Sequence, residues 1–381
     1  MISEAIVTYS NASDMLIYGA MAAYAVALVA FSIDLARLAD RSSGNNRKLA
    51  GVGQAVTWAG FLMHAVAVLL RGLAVSRVPW ANMYEFAITA TLIAVAVYLG
   101  VQVLRDMRVL GAPVTGIVLL ILGAAVTLFY VDPRDLVPAL QNYWLIIHVS
   151  IATISVGVLT VAFLISVLQL IVDKHGRARE SAEKGAASTR GADATSAEAA
   201  SAAPTDAAGV TSTDAASATS AEAASAATLA SDSTISAEAV SATATTGVET
   251  ISSAQAGTDA APAKGKRAWQ RFLKHVGTPQ QLEGAAFRLN AIGFVLWTFT
   301  LIAGAIWAEE AWGRFWGWDP KEVWTFIIWV VYAAYLHARA TRGWAGARAA
   351  WFAIVGYACI IFNYTIVNLF FNSIHAYSGI G

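Results

Sequence analysis

The sequence predicts an all-α integral membrane protein, a bundle of about eight transmembrane helices with both termini outside. Two features of the sequence predict this class. The chain is 57% hydrophobic and only 13% charged, about half the charge density of a typical water-soluble domain. Apolar runs of roughly 20 residues, the length that crosses a bilayer as a helix, also recur along most of the chain.

The apolar runs give eight predicted spans, and the basic residues set their orientation. Lys and Arg concentrate in the cytoplasmic loops of membrane proteins. Here they follow the first, third and fifth spans and lie between the seventh and eighth, which fits an even number of spans and outside termini. The spans are predicted at about 16–36, 51–71, 84–104, 110–130, 145–172, 289–309, 324–341 and 349–371.

The chain has a single cysteine, Cys359, within an apolar run. One cysteine excludes an intramolecular disulfide, a multi-cysteine metal site and the C-x-x-C-H signature of covalent haem attachment. The N-terminal stretch MISEAIVTYSNASD lacks the basic start and the small-residue cleavage site of a signal peptide. The first span is therefore predicted to remain in the protein. No nucleic-acid partner is predicted.

The long connection after the fifth span has a different composition from the rest. Residues 180–263 are almost all Ala, Ser, Thr and small acids, without an aromatic residue, and TSAEAASAA occurs at both 195–203 and 219–227. Such a segment buries too little apolar surface to offset its ordering entropy. The predicted organisation is helices 1–5 in 1–174, a disordered Ala/Ser/Thr-rich cytoplasmic tether at 175–263, a basic amphipathic juxtamembrane segment at 264–288, and helices 6–8 in 289–381 with a tryptophan-rich loop at 310–324.

That loop contains the stretch WGRFWGWDPKEVW, residues 312–324. Asp319 as N-cap, Pro320 at the first helical position and Glu322 two residues further on predict that the seventh helix begins at Pro320. An interfacial aromatic belt would explain scattered tryptophans at a membrane boundary. A dense Trp/Gly cluster with internal carboxylates favours an external aromatic shelf for a large flat ligand. The tryptophans of the shelf are Trp312, Trp316, Trp318 and Trp324.

Two histidines are predicted at the same membrane face as this loop. His148 lies just inside the outer end of the fifth span, and His375 just beyond the outer end of the eighth. Two imidazoles and a flat aromatic floor are what a bis-imidazole haem site requires. Both residues are therefore candidate ligands of an external haem iron, the alternative for each being an interfacial histidine hydrogen-bonded to backbone.

Two other histidines fall within spans. His337 lies about 20 Å deeper than Trp324 at 1.5 Å per helical residue, so it cannot ligate the same iron. It is a candidate ligand of an intramembrane haem iron, with its second ligand coming from elsewhere. His64 lies near the middle of the second span, where a hydrogen bond inside the bundle is favoured over ligation.

Four bases near the outer face are candidate counter-charges for the haem propionates. The alternative is that they snorkel to the interface or pair with Glu85, Glu309 or Glu310. The sequence leaves both readings open. These bases are Arg71, Arg77, Arg314 and Lys321.

The stretch 312–324 resembles the WWD signature of the haem-handling proteins of cytochrome c maturation. The family also places one external histidine before the motif and one after it, as His148 and His375 do here, and RGLAVSRVPWANMYE resembles its first external loop. The signature W-G-x-x-W-x-W-D-x-x-E-x-W is matched at Trp312, Gly313, Trp316, Trp318, Asp319, Glu322 and Trp324, and the loop element at Pro79, Asn82, Tyr84 and Glu85.

Within this family, the eight spans and the end of the chain soon after His375 resemble the System II synthase subunit of the CcsA/ResC type, also called CcsB. The resemblance implies a multi-pass protein of the plasma membrane that holds haem b at its extracytoplasmic face, with the iron between His148 and His375. Trp312, Trp316, Trp318, Asp319 and Trp324 would bind the haem. His337 matches the intramembrane histidine of the family, whose second ligand would come from a ResB/Ccs1-type membrane subunit.

The implied activity is that of a holocytochrome c synthase, or haem lyase, subunit acting with its partner. The haem would be attached to the C-x-x-C-H motif of apocytochrome c through two thioether bonds. Two alternatives stay open: a haem-b-binding membrane electron carrier, and a haem exporter without ligase activity. A solute transporter is disfavoured, because polar midplane features and broken helices are scarce in the sequence.

Overall fold

A computed structural model describes residues 2–39, 48–133, 141–201, 273 and 276–375 of the chain. These residues are mainly helical and contain no strand. Eight helices are long and apolar enough to cross a membrane, which confirms the predicted all-α bundle of eight spans. The helices are α1 (Ile2–Ala39), α2 (Lys48–Ala74), α3 (Met83–Leu104), α4 (Gly111–Leu128), α5 (Tyr143–Ser201), α6 (Pro279–Trp312), α7 (Pro320–Arg342) and α8 (Ala347–Phe362).

The predicted start of the seventh helix is confirmed. Asp319 is the N-cap of α7, and its side chain accepts a hydrogen bond from the Lys321 amide. Glu322 closes a capping box, because its Oε2 accepts from the Asp319 amide at 3.1 Å. The last span, Ala347–Phe370, changes character near its end, where a π-helix (Asn363–Val367) follows α8.

Helices α5 and α6 cross closely at Gly293. A Cβ atom on this glycine would lie 2.4 Å from Leu159 Cδ2, so no larger residue fits without displacing the leucine. Ser155 Oγ donates a hydrogen bond to the Gly293 carbonyl at 2.8 Å. Small residues and serine hydroxyls are the usual means of close helix packing in membranes. The crossing determines which faces of α5 and α6 meet in the half of the bundle that contains His148.

The ends of four helices meet at Glu283 of α6. Its Oε2 accepts a hydrogen bond from the Gly346 amide at 3.0 Å, and its Oε1 pairs with Arg339 of α7. Gln169 of α5 donates to the Gly346 carbonyl at 3.1 Å. This cluster fixes the turn between α7 and α8 at the end of the bundle opposite His375.

Two boundaries differ from those predicted. Helix α5 continues to Ser201, so the first part of the segment predicted as a disordered tether, 175–201, is helical, as its alanine content favours. Helix α6 begins at Pro279, inside the segment 264–288 predicted at the membrane surface, because Thr278 and Gln281 form a capping box there. Residues 202–272, the rest of the tether and the start of that segment, lie outside the described residues.

Candidate functional site

A cavity of about 710 Å³ lies among helices α3 to α8. This volume is within the roughly 300–1,000 Å³ range of sites that bind small molecules and cofactors. The lining is mainly apolar, with a few polar side chains that include His148, His375 and Lys321. The structure thus brings the two predicted external histidines to one cavity.

His148 occupies a slot on the face of α6. Its Nδ1 lies 2.8 Å from the Thr300 carbonyl oxygen, and its ring stacks on Trp307 with an interplanar angle of 17°. Gly304 completes the slot, since an added Cβ would lie 2.7 Å from His148 Cε1. A carbonyl can only accept, so Nδ1 carries the hydrogen and Nε2 keeps its lone pair.

His375 is held by the carboxylate that caps α7. Its Nδ1 lies 2.9 Å from Oδ2 of Asp319. The same carboxylate accepts from Ser373 Oγ at 2.5 Å and from the Ile374 amide at 3.0 Å. The ring also contacts Trp312, at a centroid distance of 4.7 Å, and Trp307, at 5.7 Å. Asp319 therefore starts a helix and positions a histidine distant from it in sequence.

The electrostatics favour a neutral His375. Burial lowers the pKa of His375 below its usual 6.5, although the neighbouring Asp319 carboxylate acts in the opposite direction. Burial raises the pKa of Asp319, but the hydrogen bonds from Ser373, His375 and Ile374 outweigh this and leave the pKa below its usual 3.8. At neutral pH, a charged carboxylate thus accepts from the Nδ1–H of an uncharged imidazole, whose Nε2 keeps its lone pair.

The two histidines have the form of metal-ligating imidazoles. Such a histidine usually donates its other ring N–H to a carbonyl or a carboxylate, as His148 and His375 do here. No described residue forms a hydrogen bond with either Nε2. Within the described ranges, no group of three or more His, Cys, Asp or Glu side chains could hold a bare metal ion. A pair of neutral imidazoles on a large apolar cavity fits an iron whose other ligands come from a porphyrin.

The four tryptophans of the predicted shelf pack against different residues. Trp312 packs on His375, Trp316 on Trp318 and Phe326, and Trp324 on Phe362. The side chain of Trp318 is 76% exposed. The tryptophans that line the cavity are Trp80, Trp297 and Trp307. The role of Trp312, Trp316, Trp318 and Trp324 in holding a flat ligand stays a prediction.

Trp307 is a central residue of the site that the sequence reasoning missed, together with Thr300 and Gly304. It is 2% exposed and contacts both His148 and His375. Thr300, Gly304 and Trp307 are spaced so that they share one face of α6. The signal that could have identified this face was a polar, a small and an aromatic residue at helical spacing, near a predicted ligand.

The glycines of the stretch 312–324 have local structural roles. Gly313 ends α6 in the left-handed conformation, with φ of 67°, and its amide donates to the Glu309 carbonyl. The Arg314 guanidinium lies against Gly317, where an added Cβ would be 0.7 Å from Nη1. The Gly317 amide donates to Glu322 Oε2 at 2.8 Å.

Two of the four predicted counter-charges are already paired. Arg71 is fully buried, with its Nε 3.3 Å from Glu85 Oε1. Arg77 Nη1 lies 2.7 Å from Glu85 Oε2. Both arginines thus pair with Glu85, as the alternative reading held, whereas Lys321 lines the cavity.

The two remaining histidines in spans differ in exposure. His64 is fully buried, with its Nδ1 3.3 Å from the Tyr24 hydroxyl, which is the interior hydrogen bond that the sequence favoured. His337 is exposed on the surface of α7. The ligand role of His337 stays a prediction.

We predict that Gly304→Val weakens binding of the haem that the sequence predicts at His148. The new side chain would enter the slot of His148, where even a Cβ is 2.8 Å from Nδ1, and would break the bond to Thr300. We expect affinity to fall roughly tenfold or more, as on loss of an orienting partner, measured by absorption titration with haem. Gly284→Val is the matched control on α6, because its nearest neighbouring atom is 3.8 Å from the new Cβ. Equal affinities of the two variants would contradict the slot.

The fold and the site define a class of protein. Its members are all-helical multi-pass membrane proteins in which a pair of histidines lines an apolar cavity, next to a helix that begins in a tryptophan-rich stretch. The sequence matches the cytochrome C assembly protein family over residues 80–375. The chain belongs to this family. The matched region begins at Trp80, which lines the cavity, and ends at His375.

The chain is similar to several proteins named cytochrome c biogenesis protein CcsA. The chain is 32% identical over 338 residues to the cytochrome c biogenesis protein CcsA of Synechococcus elongatus, covering 87% of this chain and 89% of the relative. It is 30% identical over 310 residues to CcsA of Gloeobacter violaceus, covering 81% and 80%. A shorter match to CcsA of Prochlorococcus marinus is 50% identical over 98 residues, covering 26% and 31%.

Proposed function

We propose that the chain acts in cytochrome c biogenesis by holding haem b and presenting it to apocytochrome c. The haem would lie in the cavity at the extracytoplasmic face of the plasma membrane, with its iron between Nε2 of His148 and Nε2 of His375. One observation carries the proposal: both rings line the cavity, each with Nδ1 bound to an acceptor and Nε2 unused. Membership of the cytochrome C assembly protein family supports it.

The reaction would be the addition of two cysteine thiols of the C-x-x-C-H motif across the two vinyl groups of haem. In each addition the S–H bond breaks, a C–S bond forms, and the hydrogen passes to the other vinyl carbon. No leaving group and no net oxidation are involved. The protein contributes positioning and protection of the cargo rather than an acid–base pair.

The histidine pair would keep the iron six-coordinate until the histidine of the C-x-x-C-H motif displaces one ligand. His148 is fixed on α5 by α6, whereas His375 follows the last helix and is held by Asp319. Both histidines would therefore be positioned before an apocytochrome arrives, and Trp307 and Trp312 pack against them.

The synthase activity is proposed for the complex with a ResB/Ccs1-type membrane subunit. Haem would come from the cytoplasmic side through an intramembrane site, where the exposed His337 supplies one iron ligand and the partner supplies the other. Because His337 lies on the outer surface of α7, a ligand from a second chain can approach it.

The proposal is tested with the full chain purified from haem-replete cells, alone and with its partner. We expect a low-spin bis-imidazole absorption spectrum in both oxidation states. Addition of a reduced apocytochrome to the complex should transfer the haem into a form that acidified organic solvent does not extract. A low-spin spectrum without covalent transfer would favour a haem exporter. Preparations that lack haem with and without the partner would contradict the proposal.

A further inference from the structure

Lys321, in the first turn of α7, is a charged residue on the wall of the cavity. Its Nζ donates hydrogen bonds to the Asn363 carbonyl at 3.0 Å and to Asn368 Oδ1 at 2.8 Å. Both acceptors belong to the end of the last span, at the π-helix and just after it. The ammonium is thus fixed in place between two elements of the bundle.

The charge of Lys321 is not neutralised by a salt bridge. No carboxylate among the described residues forms an ion pair with Nζ. Asp319, two residues earlier, has its carboxylate committed to Ser373, Ile374 and His375. Because removing a charge from water costs several kcal/mol unless it is paired, this position favours the arrival of an anion.

The hydrogen-bonding capacity of the lysine is incompletely used. An ammonium group has three N–H donors, and two of them reach Asn363 and Asn368. The Oδ1 of Asn363 is also buried without a hydrogen-bond partner, and Asn363 lines the same cavity. π-Helices such as 363–367 often occur at functional sites.

Lys321 lies close to the two candidate iron ligands. It shares the cavity wall with His148 and His375. Arg71 and Arg77 pair with Glu85, and Arg314 covers Gly317. Of the four candidate counter-charges, Lys321 is the one on the cavity wall without a carboxylate partner in the described part of the chain.

We propose that Lys321 binds a carboxylate of the ligand in the cavity. Resting on the proposed function, this carboxylate is a propionate of haem b. The ammonium would then hold the edge of the ligand, and the two imidazoles would hold its iron. This contact would determine the rotation of the porphyrin within the cavity, and with it the position of the vinyl groups.

The test compares haem b with its dimethyl ester, in which both propionates are uncharged. The full chain, freed of haem, is titrated with each probe and followed by absorption. A hydrogen bond to a charged group contributes about 1.5–3 kcal/mol, so we expect the ester to bind about tenfold to a hundredfold more weakly. Lys321→Met should reduce the affinity for haem to that for the ester, and Lys321→Arg should retain most of the difference.

The variants carry their own control for folding. Low-spin absorption of the ester complex in Lys321→Met would show that the histidine pair is intact. Equal affinities for haem and ester in the unchanged chain would overturn the proposal while leaving the histidine assignment standing. A preference for haem that Lys321→Met retains would also overturn it, because the carboxylate would then bind elsewhere. If the unchanged chain binds neither probe, this proposal and the proposed function both fail.

Discussion

Replacing either His148 or His375 with alanine is expected to abolish the low-spin absorption of the haem complex. Each substitution removes one of the two nitrogen atoms proposed to ligate the iron, and nothing else in the described cavity wall offers a second imidazole. Loss of an orienting partner alone costs about 10–100-fold in affinity. We therefore expect loss of the ligand itself to weaken haem binding by more than about a hundredfold, measured by titration.

Imidazole added to either variant should restore the low-spin spectrum, because it can occupy the space that the side chain leaves. His175→Ala is the matched control, since His175 is exposed in the part of α5 that follows the predicted span. Its spectrum should equal that of the unchanged chain. Unaltered low-spin absorption in both the His148 and the His375 variants would remove the ligand assignment.

Asp319→Asn is expected to separate the two functions of this residue. Asparagine is as good an N-cap as aspartate, so α7 should begin as before. The amide can, however, donate a hydrogen bond to Nδ1 of His375, which favours the tautomer with hydrogen on Nε2. That tautomer cannot ligate iron through Nε2. We expect haem affinity to fall about 10–100-fold while the unfolding temperature in detergent changes little.

Asp319→Ala removes the cap as well, and should cost about 1 kcal/mol of stability in addition to the loss of affinity. Glu322→Gln is the control for the helix start, because the amide oxygen can still accept from the backbone amides of Gly317 and Asp319. It should bind haem nearly as the unchanged chain does. If Asp319→Asn and Glu322→Gln have the same affinity for haem, Asp319 does not position His375.

The pH dependence of haem binding gives a second measure of the role of Asp319. His375 has a lowered pKa in the folded chain because it is buried, so its neutral form persists below pH 6.5. Ligation by the unchanged chain should accordingly be lost only as the pH falls below 6.5. In Asp319→Asn, the affinity should already be reduced at neutral pH because the tautomer is altered, and the further loss on acidification should begin at a lower pH, because the carboxylate that raises the pKa of His375 is gone.

Local rules in the sequence predicted the parts of the site that depend on neighbouring residues. The start of α7 at Pro320 follows from Asp319 and Glu322 alone. The same rule applied to Thr278, Pro279 and Gln281 would have placed the start of α6. The arrival of His148 and His375 at one cavity was predictable because alternating spans bring the outer ends of helices five and eight to one face.

The contacts between helices were not predictable in this way. The slot for His148 depends on which face of α6 is turned toward α5, and the Gly293 crossing that fixes this face is a matter of tertiary packing. The pairing of Lys321 with Asn363 and Asn368 requires residues more than 40 positions apart. The density of tryptophans in the stretch 312–324 is visible in the sequence. The orientation of each ring, however, depends on the residues that surround it in the folded chain.

The double use of Asp319 has a consequence for quality control of the protein. One carboxylate both initiates α7 and holds the segment that ends in His375. A chain in which α7 has not formed therefore lacks the fixed carboxylate that positions His375. Under the proposed function, binding of haem would thus depend on completion of this part of the fold.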